Sequence, residues 1–225
     1  MVFHKNGVGD KKTRVLIVED HPLLRAGLVH LIRNEPDLEV CYEAASAEHA
    51  LDLVVSNELD LVITDLTLPG KSGLEFLKDV QSVRSDLPVL VISMHEEVLY
   101  AERVLRAGGR GYLMKNEGSE KVLLAIRKVL KGQIYLSETV TDRILGRVTG
   151  KGGNAKASGV DAFSDRELEI YQLIGKGIST KQISQQLHLS PKTVEAHRAN
   201  IKQKLRLKTS EELICHAANR FSTTS

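Results

Sequence analysis

Between residues 14 and 131 the chain alternates short apolar runs with amphipathic stretches five times, and this alternation constrains the fold more than any other feature. The strand-like runs are 14–19, 38–44, 59–64, 89–93 and 111–114. Helical periodicity fills the gaps near 22–34, 46–57, 72–84, 96–107 and 118–131, as in Val122, Ala125, Ile126 and Val129. Five successive βα units predict a doubly wound parallel sheet with helices on both faces. In such sheets the reactive groups gather beyond the carboxyl ends of the strands, so Glu19, Asp20, Asp65, Ser93 and Lys115 are expected in one cleft.

The strand pattern then stops. A further helical turn or two is expected from Ser137 to about Val148. Residues 149–160 are rich in Gly, Lys, Ser and Ala with almost nothing to bury, which reads as a linker. Four helical segments follow, at 164–176, 179–187, 190–205 and 209–220. Their starts are written in the sequence: Ser164 before Asp165 and Glu167, Pro191 after Ser190, and Thr209-Ser210 before Glu211-Glu212. The segments at 179–187 and 190–205, joined by His188-Leu189-Ser190, have helix-turn-helix spacing. In the longer one Val194, Ile201 and Leu205 form the core stripe with His197 at its boundary, and Lys192, Glu195, Ala196, Arg198, Ala199 and Lys202 are expected on the opposite face.

Charge divides the same way. From Lys151 onward there are 12 Lys and Arg against 7 Asp and Glu, a balance of +5, whereas the preceding residues carry 19 against 22, or −3. Ser190 to Lys208 alone holds six basic side chains against Glu195. That clustering favours an anionic partner over a merely solvated helix face. The longest apolar runs are far shorter than a bilayer span and the N-terminus has no secretion-signal pattern, so a cytoplasmic protein without membrane contact is expected. Cys41 and Cys215 lack metal-ligand spacing and are expected as free thiols.

Three carboxylates at adjacent strand ends repel one another unless a cation neutralises them. Mg²⁺ suits oxygen ligands and retains several waters, so Asp20, Asp65 and the Thr67 carbonyl are candidate direct ligands, with Glu19 reached through water. Such an ion assists phosphoryl transfer to Asp65; Lys115 adds a point charge for the phosphate and Ser93 a hydrogen bond. A lone acidic residue at a strand end is usually a solvated loop or cap, but here the combination carries the signal. The runs Val15-Leu16-Ile17-Val18-Glu19-Asp20-His21-Pro22, Leu61-Val62-Ile63-Thr64-Asp65-Leu66-Thr67-Leu68-Pro69-Gly70, Val91-Ile92-Ser93 and Gly111-Tyr112-Leu113-Met114-Lys115 resemble the receiver domains of bacterial response regulators.

The resemblance implies a CheY-like receiver in which Asp65 is the phosphoacceptor for a sensor histidine kinase. Glu19 and Asp20 are then the metal pair, Lys115 the phosphate partner, and Ser93 with Tyr112 the switch pair, Tyr112 turning inward on phosphorylation. Two departures stand out. The metal pair is Glu-Asp where Asp-Asp is more usual, and Asn116 takes the place of a proline common after the lysine.

In the basic half, Phe163-Ser164-Asp165-Arg166-Glu167-Leu168-Glu169-Ile170, Ile183-Ser184 and the run from Ser190 to Ile201 resemble the LuxR-type output domain of the NarL/FixJ family. By that likeness Lys192, Thr193, Arg198 and Lys202 contact the backbone of double-stranded DNA. Glu195, Ala196 and Ala199 face base edges, the alanines permitting close approach or contact with a thymine methyl. His188 and His197 lack a third ligand and read as packing or capping residues. Leu213, Ile214, Ala217 and Ala218 of the last helix either pair with a second copy in a phosphorylated homodimer, as the resemblance implies, or close the bundle.

The expected layout is an N-terminal extension over 1–13, a receiver over 14–135, a linker over 136–160 and a small all-α helix-turn-helix domain over 161–225. A small-molecule phosphotransferase or phosphatase is disfavoured, because no second general acid accompanies Asp65 and no Gly-rich nucleotide loop is present. The other alternative is a receiver whose output domain binds protein in place of DNA; such a domain should show little affinity for random duplex DNA and little salt dependence.

Overall fold

The computed structural model describes residues 12–148 and 159–221, so most of the expected extension and residues 149–158 of the expected linker lie outside the described residues. The described residues form two compact units that part chiefly at Val140.

The first unit carries five strands, β1 (Thr13–Val18), β2 (Leu38–Ala44), β3 (Leu61–Thr64), β4 (Val89–Ser93) and β5 (Gly111–Met114). They form one sheet in the order β2-β1-β3-β4-β5, every pair parallel. The intervening helices are α1 (Pro22–Arg33), α2 (Ala47–Ser56), α3 (Gly73–Val83), α4 (Glu97–Arg106) and α5 (Ser119–Leu130). Strands β3 and β4 are buried along their whole length, which explains why they read as continuous apolar runs. Alternation still assigns the faces: Val15, Ile17, Ile63, Leu90, Ile92 and Leu113 pack against Val29 and Ile32 of α1 and Val122, Ala125, Ile126 and Val129 of α5. Third and fourth neighbours on α5 thus present one apolar stripe to the sheet.

Beyond α5 the chain returns to the β5 edge. Tyr135 N–H donates to the Arg110 carbonyl at 3.0 Å, and Tyr112 N–H donates to the Tyr135 carbonyl at 2.9 Å. This bridge occupies backbone groups that a bare edge would leave open. Gly111 makes room for it, since a Cβ there would fall 2.8 Å from Leu90 and 3.2 Å from the Tyr135 carbonyl oxygen. Helix α6 (Glu138–Val148) follows over the stretch where a helical segment was expected, and occupies part of what the sequence suggests is linker.

The second unit begins with a short 3-10 turn (Gly159–Ala162) and continues as α7 (Asp165–Gly175), α8 (Thr180–Gln186), α9 (Pro191–Leu205) and α10 (Ser210–Phe221). Capping fixes each start. Ser164 with Glu167 and Ser179 with Gln182 form reciprocal capping boxes, and Ser190 accepts from Thr193 N–H. Thr209 Oγ1 accepts from Glu212 N–H at 3.1 Å while the Glu212 carboxylate reaches back to Thr209 N–H. The core joins Phe163, Leu168 and Tyr171 to Ile183, Leu187, Val194, Ile201, Leu213 and Ala217. Tyr171 sits at its centre, edge-on to Phe163 and beside Phe221, with its hydroxyl 2.6 Å from His216 Nδ1.

Candidate functional site

The parallel ladders run one residue past the strands, and this brings the acidic groups together. Glu19 N–H donates to the Ala44 carbonyl, Asp65 N–H to Val18 and Lys115 N–H to Ser93, each at 2.8–3.0 Å. Glu19, Asp65 and Lys115 consequently emerge side by side at the carboxyl end of the sheet. The Lys115 ammonium lies 2.6 Å from Glu19 Oε2 and 2.7 Å from Asp65 Oδ2, with all three side chains almost fully buried. The other Asp65 oxygen, Oδ1, accepts from Leu66 N–H at 2.6 Å.

Burial pushes the Glu19 carboxyl above its ordinary range, with the Asp65 charge adding to the rise and the Lys115 hydrogen bond opposing it. Burial also pulls the Lys115 ammonium down, but the charge of Asp65 and the hydrogen bonds to both carboxylates outweigh it and leave the pKa raised.

Asp20 stands at the mouth of the cleft, where His21 Nδ1 lies 2.8 Å from its Oδ1. Glu19, Asp20 and His21 offer ligand atoms within 4.8 Å of one another. Asp65 falls outside that trio, its Oδ2 being held by Lys115 and its Oδ1 by Leu66 N–H. Thr67 follows two residues after Asp65 and is half-buried. Three carboxylates against one ammonium leave oxygen donors and excess negative charge, a set that fits a hard divalent cation. His21, which adjoins the acidic pair, was given no role by the sequence. Gly73, also missed, opens α3 directly beneath the Asp65–Leu66 peptide: a Cβ there would meet the Asp65 carbonyl oxygen at 1.9 Å.

Ser93 and Tyr112 are both completely buried. The Tyr112 hydroxyl donates to the His95 carbonyl at 2.8 Å, so the aromatic ring already stands inward, in contrast to the expectation that phosphorylation turns it in. The carbonyl acceptor and the apolar surroundings make that position favourable without a phosphate, and burial raises the phenol well above its usual value. All peptide bonds among the described residues are trans, the one before Asn116 included.

On α9 the stripe differs from expectation at one residue. Arg198 is buried with Val194 and Ile201, not displayed on the opposite face. It lies four residues after Val194 and three before Ile201, which is the core spacing of a helix. Its guanidinium pairs with Glu195 at 3.6 Å. Glu195 in turn accepts from Thr180 Oγ1 at 2.8 Å, a link from α8 that helical periodicity cannot foresee. Lys192, Ala196 and Ala199 are exposed, while Thr193 and Lys202 are half-exposed. The Thr193 hydroxyl lies 2.8 Å from the capping Ser190 Oγ. Lys204 turns away to Glu167, 2.6 Å distant. The remaining surface is short, basic and centred on two alanines, a shape suited to a DNA groove.

A family profile described as response regulator receiver domain matches residues 15–127, and one described as bacterial regulatory proteins, luxR family, matches residues 161–217. The chain is 35% identical to the oxygen regulatory protein NreC of Staphylococcus carnosus over 208 residues, covering 91% of this chain and 96% of that protein. A LuxR-family two-component response regulator from Aurantimonas aligns at 30% identity with a TM-score of 0.57, over 62% of this chain and 99% of that one. An RcsB response regulator structure from Salmonella typhimurium, at 20% identity, shares the fold over 93% of this chain and 98% of its own with a TM-score of 0.66.

Proposed function

From the premise that this chain belongs to the response regulators that join a receiver domain to a LuxR-type DNA-binding domain, we propose that phosphorylation of Asp65 by a sensor histidine kinase controls promoter binding through α9. The receiver is taken as residues 14–135, the connection as 136–160 and the DNA-binding domain as 161–225. The observation that carries the reading is the Lys115 ammonium 2.7 Å from Asp65 Oδ2 at the carboxyl end of a parallel sheet.

An Asp65 carboxylate oxygen attacks the phosphorus of a phosphohistidine, the P–N bond breaks and an acyl phosphate remains on the aspartate. Lys115, already directed at Asp65, pairs with the arriving phosphate, and the Ser93 hydroxyl hydrogen-bonds it. Glu19, Asp20, Asp65 and the Thr67 carbonyl would hold a magnesium ion, which when bound neutralises phosphate charge. The receiver's part is confined to assisting its own phosphorylation and its later hydrolysis. The inward Tyr112 marks the arrangement that a phosphate on Asp65 would favour by capturing Ser93.

In the output domain Lys192, Thr193 and Lys202 contact DNA phosphates, and Ala196 and Ala199, with Glu195 beside them, face base edges. Arg198 supports this surface from beneath. A homodimer formed on phosphorylation engages two half-sites, and the regulator acts in the cytoplasm; no described helix is long and apolar enough to cross a membrane.

The test is selection of bound duplexes before and after treatment with acetyl phosphate and Mg²⁺. Wild type should gain affinity for a two-fold symmetric motif and Asp65→Ala should not. An equal response from both proteins would refute control through Asp65.

A further inference from the structure

We propose that Glu97 is a positioning residue that couples the phosphorylation switch to α6, the segment leading to the DNA-binding domain, by completing the N-terminal cap of that helix from a different element. The inference rests on the phosphorylation reading above and extends it to a residue that plays no part in the chemistry.

Helix α6 starts after Ser137, whose hydroxyl accepts from Val140 N–H at 3.3 Å. That is half of a capping box. In the usual box the third helical residue is Glu or Gln and its side chain returns to the N-cap N–H; here that position is Val140, which has no acceptor. The missing carboxylate comes from Glu97, forty residues earlier, whose Oε1 accepts from Ser137 N–H at 2.7 Å. Glu97 is the first residue of α4, so the start of α6 is capped by the start of α4.

Two pins therefore act on adjacent stretches of the exit segment. Tyr135 is tied to the sheet, donating to Arg110 and accepting from Tyr112, whereas Ser137 is tied to α4 through Glu97. One residue, Leu136, separates them. The switch lies on the same short path: Ser93 ends β4, the His95 carbonyl receives the Tyr112 hydroxyl, and Glu97 follows two residues later. A shift of this loop toward a phosphate moves Glu97 relative to β5, and the peptide between the two pins must rotate. The direction in which α6 leaves the receiver changes with it. The covalent path from receiver to DNA-binding domain runs through this point, so the coupling needs no other contact between them.

The test compares full-length wild type, Glu97→Ala and Glu97→Gln. Phosphorylation of Asp65 by acetyl phosphate should proceed alike in all three. The phosphorylation-dependent gain in DNA affinity should fall by roughly tenfold in Glu97→Ala, about the worth of one charge-assisted hydrogen bond. Glu97→Gln keeps an acceptor and should recover most of it.

Hydrogen exchange at the Ser137 amide gives a second readout independent of DNA. It should respond to phosphorylation in wild type and be fast and unresponsive in Glu97→Ala. A full wild-type gain in Glu97→Ala, or an equal loss of affinity in its phosphorylated and unphosphorylated forms, overturns the coupling role. Absence of any phosphorylation-dependent gain in wild type instead removes the underlying reading, and the coupling with it.

Discussion

The Lys115 ammonium stands 2.7 Å from Asp65 Oδ2, fifty residues away along the chain, and holds Glu19 at the same time. One buried cation thus serves two buried carboxylates. Removing it leaves their charges uncompensated, at a cost of about 3–5 kcal/mol. Lys115→Ala should accordingly unfold at lower denaturant concentration in EDTA, and Mg²⁺ should stabilise it more than wild type, because a bound cation replaces the lost charge. Equal Mg²⁺ stabilisation of both proteins in denaturant titrations would argue against an ion at this cleft.

Gly73 supports the same loop from below. A methyl group there would collide with three backbone atoms of Asp65 and Leu66, none of which can rotate away. Gly73→Ala should displace the Asp65 peptide, slow phosphorylation by acetyl phosphate at least roughly tenfold and cost about 1–3 kcal/mol of stability. Phosphorylated protein followed over time by intact mass, with a parallel denaturant titration, measures both effects.

On α9, burial separates residues that charge alone would group together. Lys192→Ala and Lys202→Ala should each reduce the salt dependence of DNA binding by about one unit of slope while leaving sequence preference unchanged. Arg198→Ala should act chiefly on stability, by about 1–3 kcal/mol, since its side chain is buried and paired with Glu195. Binding isotherms at several salt concentrations, with thermal unfolding beside them, distinguish the two outcomes.

Glu167 gives the helical unit a defined acid limit. Burial alone would raise its carboxyl, but Lys204 and the Ser164 backbone and hydroxyl hold it below the ordinary value of 4.5. A group with a lowered native pKa stabilises the fold above its unfolded pKa and loses that contribution as pH falls through the native one. Stability should decline below about pH 4.5 in wild type. Glu167→Gln should flatten that part of the profile and cost about 2 kcal/mol at neutral pH. Unfolding midpoints from pH 3 to 7 provide the check.

Local patterns in the chain were enough to place the strands, the helices and the caps. The run 111–114, the caps at Ser164 and Ser190, and the stripe through Val122 and Val129 each depend on neighbours a few residues apart, so periodicity and capping chemistry reveal them, while the strand expected over 59–64 begins only at Leu61. The gathering of Glu19, Asp65 and Lys115 was legible for the same reason, because a parallel sheet places its carboxyl ends together whatever the side chains are.

Tertiary structure decided how those groups are used. That Lys115 bridges both carboxylates, that Thr180 engages Glu195, that Tyr112 already faces inward and that Glu97 caps a helix forty residues downstream all depend on sheet register and on competition among donors for acceptors. Arg198 illustrates the difference on a single helix. Its charge placed it on the exposed face in the sequence reading of the helix, whereas in the structure it is buried like Val194 and Ile201, with the Glu195 carboxylate 3.6 Å from its guanidinium. Hydrogen-bond partners far apart in the chain are chosen only after the backbone has folded, when every buried polar group must find an acceptor or donor among the few that remain.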